Sequence, residues 1–287
     1  MNKLFGKNIL ALFFLGISSG LPLLLVFGTL SVWLREAGVE RATIGFLSWA
    51  GLSYAFKFVW APAVDHLSLP LLSRIFGRRR SWILLSQVLV VCALLWMSLW
   101  DPQFNQINFV WLAAGAVLLG FASATQDIVI DAYRIDIADH EQQAMLAGIA
   151  IAGYRIGMLF AGAGALELSE LFNTSEHYLA SSWQLAYRCM ALFMLIGIVT
   201  TLVIREPDTT NTRSVIHNHL YLFIHFICVI ASFSVSFIAL GLLFEAYSAN
   251  HALIDFLIAC LRLIIAIGIA VIVGNRLCHF GLLDMSE

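Results

Sequence analysis

Charge is what this sequence has least of. Lysine, arginine, aspartate and glutamate make up 12% of its 287 residues, about half the share that coats a soluble domain. Too little charge is left to cover a water-facing surface, and a mean hydropathy of +0.89 agrees. The class is therefore membrane protein. The formal net charge of −2 says nothing of partners, and no basic run followed by aromatics points to nucleic acid. Cysteine patterns are missing too. Cys92, Cys189, Cys228, Cys260 and Cys278 lie in or at the ends of apolar stretches without ligand spacing, so neither a disulfide framework nor a metal centre is expected. The sequence has no Gly-x-Ser-x-Gly, no His-Glu-x-x-His and no phosphate loop, so it carries no sign of an enzyme or of a cofactor. His217, His219 and His225 read as interfacial. The apolar run after Lys3 and Lys7 has no small-x-small cleavage site, which makes it a retained first span rather than a signal peptide.

Long apolar runs are what is there. The breaks between them predict helices over 9–33, 42–62, 81–100, 107–130, 142–167, 183–204, 219–243 and 252–274, each near the roughly 20 residues that cross a bilayer. The polar stretch Thr209 to Asn218 divides them into six and two. The expected organisation is a six-helix bundle over 1–208, a linker over 209–218, and two peripheral helices with a short tail over 219–287. Basic residues then sort to one side: Lys3, Lys7, Arg74, Arg78, Arg79, Arg80, Arg134, Arg205, Arg213 and Arg276. Arg35 and Arg41, each beside a glutamate, fall opposite. This asymmetry places both termini in the cytoplasm.

Few ionisable residues interrupt the apolar runs, and they are the candidates for function. Asp127 and Asp131 are four apart near the end of the fourth helix and share a face, with Arg134 one turn on. A carboxylate in a membrane helix costs roughly 2.5–3.5 kcal/mol on insertion scales, so such residues face protein or water and mark solute paths. Asp136 reads as reaching the headgroups. Lys57, near the inner end of the second helix, either snorkels to the interface or pairs with Asp127 or Asp131. Arg155 sits near the middle of the fifth helix, too deep to snorkel. Its fork of donors suits a carboxylate, so it is expected to face the interior and to bind an anionic group or an acid. Gly153-x-x-x-Gly157 permits close helix packing. Gly16, Ser18, Ser19, Gly20 and Pro22 mark the first helix as an inner, kinked element with a polar stripe.

Between the second and third helices, Asp65 is followed after eleven residues by Gly77-Arg78-Arg79-Arg80. This resembles the loop signature of the major facilitator superfamily, with wider spacing. The resemblance implies a cytoplasmic latch or gate holding neighbouring helices, built from Asp65, Gly77, Arg78, Arg79, Arg80 and Arg134. The physical reading alone is an anchor to anionic headgroups.

Five stretches together are similar to one branch of that superfamily, the AmpG-type muropeptide permeases. They are Gly20-Leu-Pro22 with Gly28-Thr29-Leu30, Lys57-Phe58-x-Trp60-x-Pro62, Gly77-Arg-Arg-Arg80-x-Trp82, Ala124-x-Gln126-Asp127-Ile128-Val129-x-Asp131-Ala132, and Gly153-Tyr154-Arg155-x-Gly157-Met158-Leu159. The resemblance covers about 9–204. It implies an all-α membrane protein, a major-facilitator-like six-helix half bundle plus two additional transmembrane helices. It further implies an inner-membrane carrier that imports anhydro-muropeptides, small glycopeptides, with protons for cell-wall recycling. Arg155, Asp127, Asp131 and Lys57 are then the pathway residues, with one acid holding Arg155 until substrate displaces it. The family's second six-helix half would follow residues 219–274, whereas the chain stops at Glu287. A truncated carrier, or one completed by a separate C-terminal half, is expected. The alternatives are a carrier of another bulky anion, such as an activated acyl compound, and an inactive half-carrier acting only as a membrane partner.

Overall fold

Backbone amides in a bilayer have no water to bond, so apolar runs of this length satisfy themselves as helices. The computed structural model describes residues 3–47, 51–69, 71–139, 141–175 and 177–207, with isolated positions between 228 and 276. The chain divides into two compact units, Met1–Thr209 and Thr210–Glu287. The two helices predicted over 219–274, their linker and the histidines and cysteines within them lie outside the described residues, apart from single helical positions such as Cys228 and Arg276.

Among the described residues the first unit is all helix, without a strand. Five helices are long and apolar enough to cross a membrane: Gly6–Glu36, Arg78–Met97, Gln106–Asp136, Gln143–Phe172 and Ala180–Val203. The first joins α1 (Lys3–Leu24) to α2 (Leu30–Glu36) through a π-turn at Leu25–Thr29. The next two are α7 (Arg78–Met97) and α8 (Gln106–Asp136). The fourth joins α9 (Gln143–Leu159) to α10 (Ala165–Phe172) through a second π-turn, and the fifth joins α11 (Ala180–Phe193) to α12 (Leu195–Val203). Pro22 lies within α1. A π-turn frees backbone carbonyls, and hydroxyls take them up here. Tyr187 donates to the Leu25 carbonyl at 2.9 Å and Thr29 to the Ala161 carbonyl at 2.8 Å.

The span predicted over 42–62 is different. Its described parts are α3 (Arg41–Leu47), α4 (Leu52–Ala55), a 3₁₀ turn at Lys57–Val59 and α5 (Ala61–His66). Pro62 has no amide hydrogen to give the ladder, so the regular helix breaks on its N-terminal side. Its ring fits the first turn of α5, where amides lack intrahelical partners. A short α6 (Leu72–Phe76) follows in the stretch read as loop.

α1 and α9 cross with backbones in contact. A Cβ added at Gly16 would fall on the Ala150 carbonyl, one at Gly20 on that of Tyr154, and ones at Gly153 and Gly157 on those of Phe13 and Ile17. The expected Gly153-x-x-x-Gly157 contact is thus one half of a reciprocal glycine seam. The core has two apolar layers. One surrounds Trp33, Leu94, Met97, Trp183 and Tyr187, and the other surrounds Leu12, Leu15, Ile83, Val129 and Tyr133. Between these levels Ser18, Gln87, Gln126 and Thr201 are fully buried. Gln126 Nε2 donates to Ser18 Oγ at 3.0 Å, and Thr201 Oγ1 donates to Gln87 Oε1 at 2.9 Å. Each link satisfies one atom of a buried amide, while Gln87 Nε2 and Gln126 Oε1 are buried without a partner.

Candidate functional site

The glycine seam leaves α1 and α9 touching over half their length, and α8 closes against α1 beside them. The three helices bound an open cavity of about 520 Å³. Gly16, Ser19 and Leu23 line it from α1, Asp127, Ile130, Asp131 and Arg134 from α8, and Ala150, Tyr154, Arg155 and Met158 from α9. Three of the four expected pathway residues therefore meet in one space. The i, i+4 spacing puts Asp127 and Asp131 on the same face of α8. Asp127 is half-buried and accepts a hydrogen bond from the Ser19 hydroxyl. Asp131 is exposed and lies 3.5 Å from the Arg134 guanidinium, which also donates to Gln143 Oε1 at 3.2 Å.

Lys57 does not line this cavity, but its charge acts on the Asp127 carboxylate, as does that of Asp131. No ion pair joins Lys57 to either acid among the described residues. Tyr54 and Trp60, on either side of Lys57, bond the turn of α8 that precedes Asp127. Tyr54 donates to Ser123 Oγ at 2.7 Å and Trp60 to Thr125 Oγ1 at 3.1 Å.

Arg155 lines the cavity, and its side chain is exposed on the open side. No ion pair holds it among the described residues, because Asp127 bonds Ser19 and Asp131 faces Arg134. Its level, near the middle of the Gln143–Phe172 helix, is as expected.

A second charged cluster lies at the end of the bundle where α7 begins. Arg79 is only 9% exposed at its side chain, and its guanidinium bridges Asp65 and Asp136, each at 2.7 Å. Gly77, at φ +87°, turns the chain into α7. It has no side chain to cap that helix, and a Cβ there would strike Glu206. The Glu206 carboxylate takes the capping role from a distance, accepting from the Arg79 and Arg80 amides at 2.7 and 3.0 Å, where the helix dipole favours an anion. Arg80 returns the link by donating to the Thr201 and Leu202 carbonyls at 3.0 and 2.7 Å, at the negative end of α12. Asp65, Gly77, Arg79 and Arg80 thus lie in one charged cluster with Asp136 and Glu206. Arg78 makes no ion pair among the described residues. Arg134 is placed differently: α8 runs on to Asp136, so Arg134 is in its last turn, on the cavity side.

Two residues of this cluster are not legible as such in the sequence. Asp136, expected at the headgroups, takes Arg79, and Glu206, the end of the sixth span, takes the first amides of α7. An acid just past a helix end was the available signal, yet its partner lies 127 positions away. Around Asp127, the Tyr54 and Tyr154 hydroxyls were missed for the same reason.

The opposite end is held by neutral donors on acids. Trp183 donates to Glu36 at 2.7 Å, Tyr178 to Asp101 at 3.0 Å, and Trp33 to the Tyr178 oxygen at 3.1 Å. The rings of Trp33 and Trp183 stack at 6.0 Å. Burial, more than any neighbour, holds the Tyr178 phenol above its ordinary range.

A helical bundle with an ion-paired loop at one end and an open charged cavity is the arrangement of a known class. The family described as the Major Facilitator Superfamily matches residues 9–281, and the chain belongs to it as an all-α, multi-pass membrane protein. A protein named AmpG 4 from Rickettsia conorii is 40% identical over 202 residues, 70% of this chain and 46% of that protein. The anhydromuropeptide permease of Escherichia coli K12 is 40% identical over 199 residues, 69% of this chain and 38% of the permease. AmpG 3 from Rickettsia typhi is 32% identical over 214 residues, 73% of this chain and 47% of the relative. The AmpG-type resemblance read from the motifs holds, and the chain spans less than half the length of each of these relatives.

Proposed function

We propose that this chain forms the six-helix half of a proton-coupled importer of anhydro-muropeptides in a bacterial inner membrane, with both termini cytoplasmic. The observation that carries the reading is the cavity between α1, α8 and α9 in which Asp127 and Asp131 of α8 meet Arg155 of α9. A glycopeptide of this kind carries carboxylates, and Arg155 offers a planar fork that grips one through two bonds. A second six-helix half, in the same chain or another, closes the open side of the cavity and encloses the guanidinium. Substrate does not have to displace an internal acid, since Arg155 is unpaired among the described residues. Asp127 is the acid assigned to the coupling proton. Its carboxylate is half-buried beside Ser19 and within reach of the Lys57 charge, so substrate entering the cavity changes the field it experiences. The Arg79 bridge is the cytoplasmic gate: it parts Asp65 on α5 from Asp136 on α8 when it opens. A carrier of another bulky anion would use the same guanidinium, and competition separates the two.

Uptake of labelled anhydro-muropeptide is measured in membrane vesicles holding this chain together with a complementing second half. Arg155→Lys, which keeps the charge but loses the fork, is expected to lower uptake roughly tenfold or more, the cost of a lost charged hydrogen bond. Asp127→Asn is expected to abolish proton-driven accumulation while exchange down the gradient persists. Wild-type uptake by Arg155→Ala would sink the assignment. Stronger competition by an acyl-coenzyme anion than by unlabelled muropeptide would transfer it to the alternative substrate.

A further inference from the structure

Beside the latch, and apart from the pathway cavity, a second groove of about 720 Å³ runs between the start of α1 and the end of α12, with the end of α8 as its floor. This volume lies within the roughly 300–1,000 Å³ of ligand pockets. Its polarity is ordered along its length. On α1, Lys7, Leu10, Ala11 and Phe14 line it, at the spacing of a single helix face. On α12, Val199 and Val203 line it, and Arg205 follows just past the helix end. One end of the groove thus carries two cations, with Asp136 and Glu206 beside them, and apolar side chains predominate along the rest. Leu10, Val199 and Val203 are 58%, 59% and 78% exposed, so the apolar part opens outward, on helices that cross the bilayer.

The acids at the groove are already committed. Asp136 is held by Arg79 at 2.7 Å, and Glu206 caps α7. Neither Lys7 nor Arg205 makes an ion pair among the described residues, and both are exposed. A cationic mouth continuous with an outward-facing apolar trough matches one chemistry, a phosphate-bearing headgroup attached to acyl chains. We infer that the groove between α1 and α12 is a binding site for an anionic phospholipid, its phosphate between Lys7 and Arg205 and its chains along Leu10, Phe14, Val199 and Val203. Basic pockets between membrane helices hold anionic headgroups on this principle. The lipid would bridge the first and last helices of the half bundle next to the latch. The inference does not depend on what the carrier moves.

Native mass spectrometry of the full chain, released from detergent micelles containing phosphatidylglycerol, phosphatidylcholine or inorganic phosphate, tests it. Wild type is expected to retain one phosphatidylglycerol and roughly tenfold less phosphatidylcholine, the discrimination that two basic groups at a membrane surface supply. Inorganic phosphate, lacking chains, is expected neither to remain bound nor to displace the lipid. The double variant Lys7→Gln with Arg205→Gln is expected to lose the preference. Arg35→Gln with Arg41→Gln removes the same charge from the opposite end and is expected to keep it. Equal retention of the two lipids by wild type overturns the proposal, whether or not the double variant folds. Displacement by phosphate, or an equal loss in both double variants, overturns it as well.

Discussion

The two ends of this bundle are fastened by different forces. At the end where α7 begins, charge meets charge: Arg79 lies between Asp65 and Asp136, and Glu206 and Arg80 exchange bonds between the ends of α7 and α12. At the other end, a neutral indole donates to Glu36 and a phenol to Asp101 amid stacked rings. A guanidinium with two carboxylate partners is stable only while both are present, because a buried charge without a partner is costly. Such a joint favours two arrangements, closed or fully hydrated, and resists intermediate ones. A ring that donates one hydrogen bond keeps its packing if the bond is lost, so the aromatic end loosens by degrees.

The largest expected effect comes from removing the central cation. Arg79→Gln leaves Asp65 and Asp136 facing each other without a counter-charge. Breaking a buried pair costs about 3–5 kcal/mol, and the partial exposure of Asp65 reduces the expected loss to about 2 kcal/mol. Thermal unfolding in detergent reads it, and the difference from wild type should narrow in molar salt, where screening acts within about 3 Å. An unchanged transition would show that the bridge carries no stability.

A smaller effect is expected at the other end. Trp183→Phe keeps the stack on Trp33 but removes the donor to Glu36, at a cost of about 1.5 kcal/mol, the low end for a bond to a charged group. This loss should be indifferent to salt. If it shrinks in molar salt as the Arg79 loss does, the distinction between the two ends fails.

The smallest effect is expected from pH. The Tyr178 phenol titrates above its ordinary value in the folded chain, chiefly through burial. A raised folded value means that the contribution is fully present below the unfolded phenol value, about 10. It declines as pH rises from there toward the folded value. Tryptophan emission from Trp33 and Trp183 should therefore be flat from about pH 6 to 9 and change only above about 10. A transition near neutrality would point to a different group.

Much of this was legible in the residue order, for a physical reason. In a bilayer, helix formation is compelled by the solvent, so five of the six spans predicted before residue 208 need only apolar length to be read. The depth of Arg155, the shared face of Asp127 and Asp131, and the glycine contact on α9 follow from helical spacing alone. The breaks inside the 42–62 span are not legible in hydropathy, which does not register the backbone constraint that Pro62 imposes.

What only the tertiary structure decided was partnership. Glu206 finds the first amides of α7, Asp136 finds Arg79, and Ser19 finds Asp127, over separations of 127, 57 and 108 residues. Spacing along a chain carries no information about such meetings, since any charged residue at a helix end has several neighbours of either sign within reach. Which of them it meets depends on how α1, α7, α8 and α12 cross. Those crossings are set by packing, by the glycines of α1 and α9 and by the layers around Trp33 and Leu15, rather than by the charges themselves. The sequence by itself therefore determined that the chain enters a membrane as helices and which few ionisable groups it takes with it. The packed bundle determined which of those groups are tied to one another and which, like Arg155 and Lys7, make no ion pair among the described residues.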